Sequence, residues 1–102
     1  MIHVIATVQV QPSRRADFLS EFHKVVPLVL QEPGCVEYGP TIDAVTDIGA
    51  QQLVGEDFVV IVERWASVEA LKAHLVANHM TAYRQRVKEM VVVTKLQILK
   101  TA

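Results

Sequence analysis

Phe58 to Tyr83 read FVVIVERWASVEALKAHLVANHMTAY. Five apolar residues, three of them Val, lead through Glu63-Arg64-Trp65 to Ser67. Beyond Ser67 the apolar positions Val68, Leu71 and Leu75 fall at helical spacing. The stretch therefore encodes a strand over Phe58 to Trp65 and a helix that Ser67 caps with its hydroxyl. A second helical piece starts at Asn78, with Met80, Tyr83 and Val87 inward. His74 and His79 are set into this pair of helices. A strand that brings a carboxylate and the only tryptophan to the mouth of an imidazole-bearing helix points to a small-molecule pocket.

At the other end of the chain, Ile2 to Val10 is apolar at every even position, which predicts a strand. Pro12-Ser13 ends it, and Ser13 is a candidate N-cap. From Arg14 onward, Phe18, Phe22, Val25, Val26 and Val29 line one helical face. Pro27 lies inside that helix and should kink it. Glu32-Pro33-Gly34 stops it, and Cys35 to Ile42 reads as a second strand. Asp43 to Asp57 is a long, weakly patterned connection with room for a short strand near Gln51 to Leu53; connections of this kind often act as lids or dimer arms. Val91 to Leu99 is the last strand. The order β-α-β-β-α-β predicts an α+β, ferredoxin-like antiparallel sheet with helices on one face, formed by residues 1–102 as one domain.

Composition removes several classes of function. The formal net charge is −1 with Lys and Arg scattered, so no basic stripe exists to hold nucleic acid. No apolar run reaches the roughly 18 residues that a membrane helix needs, and membrane insertion is not expected. MIHVIATVQV lacks the basic start and cleavage site of a signal peptide. The lone Cys35 cannot form an intrachain disulfide, and the expected location is the cytoplasm. There is no zinc spacing of Cys and His and no glycine-rich phosphate loop.

The first, third and fourth strands are apolar on both faces. Val59 and Ile61 oppose Val60 and Val62, and Ile5 opposes Val4 and Ala6. A sheet covered by helices on one side normally shows water a polar alternating face. The second apolar face calls for a partner, and the simplest is another copy of the chain about a two-fold axis. A homodimer is expected.

Three stretches, VIATVQVQP, KVVPLVLQEPGCVEYGPTID and VERWASVEALKAHLVANHMTAYRQRV, resemble the antibiotic-biosynthesis-monooxygenase family of dimeric α+β-barrel proteins, and within it the bacterial quinol monooxygenases. The pairing of E-x-W at a strand end with A-H-L-x-x-x-H-M downstream carries most of the likeness. The resemblance implies oxidation of a small aromatic quinol, of menadiol or hydroxynaphthoquinol kind, by O2 without metal, flavin or nicotinamide. The strand-one asparagine of the haem-degrading and polyketide-oxidising branches is absent, since the region reads Ile5-Ala6-Thr7.

The residues themselves permit that chemistry. A neutral imidazole can take a phenolic proton, which makes His74 and His79 candidate bases, and Glu63 a candidate third catalytic group. Glu63 shares Trp65's strand face, where a carboxylate is costly unless paired; Lys95 or a neighbour of Arg64 would be its structural partner. His74 lies three residues beyond Leu71, on the inward side, where a histidine is more often a satisfied core residue. Trp65 could stack on a ligand or fill the space between sheet and helix. Tyr83 and Tyr38 could bond a quinol oxygen, and Phe22 and Phe58 could line the cavity; Asp43 is a weaker candidate. Cys35 reads as a small buried hydrophobe. Two other classes fit the pattern: an isomerase acting on a small phosphorylated dione, for which Arg64, Arg84 and Arg86 are the nearby cations, and a non-catalytic stress protein that binds a hydrophobic ligand.

Overall fold

The computed structural model describes residues 1–102. In chain order it contains β1 (Ile2–Val10), α1 (Arg15–Leu30), β2 (Cys35–Thr41), β3 (Phe58–Trp65), α2 (Val68–Leu75), α3 (Asn78–Val87) and β4 (Val91–Lys100). The four strands make one antiparallel sheet in the order β2-β3-β1-β4, the ferredoxin-like arrangement that the alternating periods predict. No helix is long and apolar enough to cross a membrane.

Register decides what the helices cover. Val4 lies opposite Glu63, Ala6 opposite Ile61 and Val8 opposite Val59, which places these six on one face. All six are buried there, against Phe18, Phe22, Val25 and Val29 of α1 and Leu71, Met80, Tyr83 and Val87 of α2 and α3. The reverse face presents Ile5, Val60, Val62, Val93 and Leu99 among Thr7, Gln9, Lys95 and Gln97. β4 is an edge strand, and its Leu96 and Ile98 remain about half exposed even on the helix side.

Local differences from the sequence reading have simple causes. Ser13 sits at φ 66, in a left-handed turn, so it does not cap α1; Arg14 takes that position and its Nε pairs with Asp17 of the first turn at 3.0 Å. Ser67 does cap α2, its hydroxyl accepting from the N–H of Ala70 at 3.1 Å. On α2 the buried residues are Leu71 and His74, while Val68 and Leu75 stay partly exposed. No strand forms at Gln51 to Leu53. The Asp43 carboxylate accepts from the N–H groups of Val54 and Gly55, and Gln51 Nε2 donates to the carbonyl of Ala44. The segment thus satisfies its polar groups internally instead of adding to the sheet.

The turn between α1 and β2 fixes where the chain passes beneath α2. Gly34 has φ +84, a conformation that favours glycine, and its carbonyl accepts from the N–H of Ala66 at 2.8 Å. A Cβ added there would meet the Cβ of Ala70 at 2.6 Å. Gly34→Ala should therefore cost more than about 1 kcal/mol through backbone strain and the clash together. In urea unfolding, Ala70→Gly in the same chain should restore part of the loss; no loss in the single variant would show that the turn is not constrained.

Candidate active site

Helix α1 ends at Leu30 with Gln31 as its cap, and Glu32 comes directly after it. Pro33 and Gly34 then turn the chain into β2, which leaves the Glu32 side chain under the junction of α2 and α3. There one oxygen, Oε2, lies 2.9 Å from Nδ1 of His74 and 2.7 Å from Nε2 of His79. A carboxylate oxygen can accept two such bonds, so each ring donates one N–H to it. For His74 this leaves Nε2 as the free, basic nitrogen. The His74 side chain is 2 % exposed and Glu32's is 11 % exposed. Burial holds His74 below its ordinary value of 6.5, against the opposing pull of Glu32, and favours the neutral ring.

Glu63 is buried on the inward face of β3, 5 % exposed. Its Oε1 accepts from the indole N–H of Trp65 at 2.9 Å. The cationic partner expected from the sequence is not there. Arg64 points to the reverse face and pairs with Glu37 at 2.7 Å, and Lys95 also lies on that face. With one neutral donor and little water, Glu63 is pushed up to about 7, chiefly by burial. Tyr38 sits opposite Glu63 in the β2–β3 register. Its ring stacks on Phe22 and meets the edges of Trp65 and His74, with centroids 5.5, 6.5 and 5.3 Å away. Trp65 in turn lies 4.6 Å from the ring of His74.

These groups enclose one side of a cavity of about 270 Å³ between sheet and helices. Ala6, Val8, Ile61, Met80 and Leu96 supply apolar wall, and Glu63, His74, Tyr38 and Tyr83 supply the polar groups. Its volume is just below the roughly 300–1,000 Å³ of small-molecule sites. Neither tyrosine hydroxyl bonds to protein, and no fully buried side-chain oxygen or nitrogen lacks a partner, so both hydroxyls remain open to the cavity. Burial raises both phenols well above their ordinary value, which keeps them hydrogen-bond donors.

The structure thus gathers Glu63, His74, Tyr38 and Tyr83. His79 belongs to the network through Glu32 but does not line the cavity. Trp65 and Phe22 are fully buried behind its wall, where they support His74 and Tyr38 instead of facing a ligand. Phe58 stands at the far end of β3 from Trp65, roughly 23 Å along the strand, and is no part of the site. Asp43 is a loop staple, its carboxyl held low by the N–H groups of Gly55 and Val54. A larger hollow of about 440 Å³ lies over that loop, walled by exposed Val45, Ile48 and Leu53 and without a histidine. Sequence reasoning misses Glu32, because beside Pro33-Gly34 it looks like a turn residue. The two imidazoles around Glu32 are at hydrogen-bonding distance, and no group of His, Cys, Asp and Glu is arranged to hold a metal ion.

Comparison with known proteins agrees with this architecture. The family model described as antibiotic biosynthesis monooxygenase matches residues 1–86. A "Probable quinol monooxygenase" of Escherichia coli is 37% identical over 102 residues, covering 98% of this chain and 97% of its own length. Two solved structures, both described as a "putative antibiotic biosynthesis monooxygenase", share the fold. The one from Caulobacter crescentus has a TM-score of 0.81 and 26% identity, covering 99% of this chain and 89% of its own. The one from Nitrosomonas europaea has a TM-score of 0.82 and 17% identity, covering 99% and 98%. The chain belongs to the antibiotic biosynthesis monooxygenase family, and the Escherichia coli relative supports a monooxygenase activity.

The environment of Glu63 has a consequence for stability. Unfolded, the carboxyl returns to its ordinary 4.5, whereas folded it titrates at about 7. Between these values the folded chain binds more protons, so the contribution of Glu63 to stability falls as pH rises from about 5 to 8. The difference corresponds to roughly 3 kcal/mol. Glu63→Gln, which keeps an acceptor for the indole, should lose this dependence. Urea titrations of both proteins across that range should converge at the acid end and favour the variant at the alkaline end; parallel curves would show that Glu63 is not held neutral.

Proposed function

We propose that the protein is a cofactor-independent quinol monooxygenase. The observation that carries this reading is a buried His74 whose Nδ1 lies 2.9 Å from Glu32 Oε2 and whose ring forms part of an apolar cavity shared with Tyr38, Tyr83 and Glu63. The substrate is a small aromatic quinol of menadiol or hydroxynaphthoquinol kind, sized to one or two fused rings.

His74 Nε2 takes a proton from one quinol hydroxyl, and the Glu32 carboxylate stabilises the imidazolium that forms. His79 holds the same carboxylate in place from its other side. Tyr38 and Tyr83 donate hydrogen bonds to the substrate oxygens and fix the ring. The electron-rich quinolate passes an electron to O2; the two fragments combine at a ring carbon, and water departs. One quinol and one O2 give one hydroxylated quinone and one water, so atoms and electrons balance. The neutral Glu63 carboxyl supplies a proton to the departing oxygen and is restored by the proton that His74 collected. Excluding bulk water lets the anion react with O2 in place of simple reprotonation. The cytoplasm is the expected setting.

Chelator-treated, flavin-free protein given reduced naphthoquinone should consume O2 faster than the spontaneous rate. His74→Ala should lower this rate roughly 10²–10⁴-fold. As pH falls from about 8 to 6.5 the parent rate should rise while Glu63, titrating at about 7, gains its proton, and it should decline only in stronger acid, since burial favours the neutral ring of His74. Activity that disappears on chelation and returns with a metal would overturn the cofactor-free reading. An unchanged rate in the His74→Ala, His79→Ala double variant would remove the histidines from it.

In the same proposal the protein is a homodimer formed through the outward face of the sheet, where Ile5, Val60, Val62, Val93 and Leu99 are unpartnered within the chain. Val93, 40% exposed on that face, is the site to test. Val93→Lys should give monomer or insoluble protein in sedimentation at several concentrations, while a well-folded, unchanged dimer would place the interface elsewhere.

A further inference from the structure

The mouth of the cavity differs in character from its floor. Beside the main cavity a second hollow of about 260 Å³ runs between α3 and β4, lined by Tyr83, Arg84, Val87, Lys88, Val91 and Thr94. Tyr83, Arg84 and Thr94 line both spaces, so the apolar chamber adjoins a groove that carries two cations. Arg84 and Lys88 are four residues apart at the end of α3 and share one side of the helix. The other arginine of the last turn of α3 is already neutralised: Arg86 pairs with Glu21. Neither Arg84 nor Lys88 has a carboxylate within ion-pair distance. Arg84 uses one Nη2 donor on the carbonyl of Leu75, at 2.7 Å, which anchors the guanidinium at the groove and leaves most of its donors unspent. The only acid lining either space is Glu63, at the floor.

We infer that Arg84 and Lys88 form an anion-recognising subsite at the cavity mouth, so that the preferred substrate is an aromatic quinol bearing an acidic substituent such as a carboxylate. This inference rests on the quinol reading of the cavity and narrows it. The aromatic ring occupies the apolar chamber against Ala6, Val8, Ile61 and Met80, with its hydroxyl at His74. The acidic group lies in the groove, where the fork of Arg84 can hold a carboxylate with paired hydrogen bonds and Lys88 adds a second positive charge. A quinol whose substituent is a long hydrocarbon tail would instead set that tail between two charged heads.

Binding separates the possibilities without relying on turnover. A naphthol and hydroxynaphthoic acid, which present the same ring without and with a carboxylate, are titrated into the protein by calorimetry at low and high salt. Hydroxynaphthoic acid should bind about tenfold tighter at low salt, with the advantage shrinking as salt screens the pair. Lys88→Gln, which breaks no side-chain hydrogen bond or ion pair within the chain, should reduce that advantage several-fold and leave naphthol binding as it was. Arg84→Gln should abolish it. Equal affinity for the two probes, or an advantage that both variants retain, overturns the anion subsite while the cavity reading stands. Failure of both probes to bind overturns the subsite together with the quinol reading on which it rests.

Discussion

One carboxylate oxygen holds the functional end of this molecule together. Oε2 of Glu32 receives hydrogen bonds from His74 and His79, residues 42 and 47 positions further along the chain. The bonds tie the end of α1 to both short helices that come after β3. Burying a carboxylate is costly without such donors, and two of them at one oxygen offset much of that cost. The same contact selects which nitrogen of His74 carries the proton. Tertiary anchoring and the tautomer of His74 are therefore set by a single interaction.

The site has two carboxylates in unlike surroundings, and that contrast is its chemical content. Glu32 faces two imidazoles, whereas Glu63 faces one indole N–H inside an apolar wall. Environments of this kind separate the roles of like groups: in the proposed mechanism Glu32 steadies the imidazolium of His74, and Glu63 serves as the proton donor. The two tyrosines share this logic, since burial keeps them protonated where they meet the cavity. None of these groups sits on the long 43–57 connection. All are carried by regular elements or by the constrained Gly34 turn, whose conformation fixes where Glu32 emerges from α1.

Periodicity made the fold legible. The even-numbered apolar residues of β1, the α1 face from Phe18 to Val29 and the cap at Ser67 all stand where spacing puts them, because each reports burial within a few neighbouring residues. His74, Glu63, Tyr38 and Tyr83 could be nominated for the same reason: their elements show which side faces inward. Glu32 could not be, since its partners are remote in sequence and its own neighbourhood has only turn chemistry. Phe58 shows the converse limit. Composition marks it as aromatic and strand-borne, yet only the direction of β3 reveals that it lies at the opposite end from Trp65. The partner of Glu63 was likewise hidden, because a residue two positions along the same strand, and not a distant cation, satisfies it.

Trp65 is the only tryptophan in the chain, and its indole is bonded to Glu63 at one edge and lies 4.6 Å from His74 across its face. Indole emission is quenched by a nearby imidazolium and shifts when the N–H donor changes partner. The protein therefore carries a built-in optical probe at the centre of its acid–base network, with no second tryptophan to dilute the signal. Titration of the site, and the arrival of a ring beside it, can be followed in the native chain without a label.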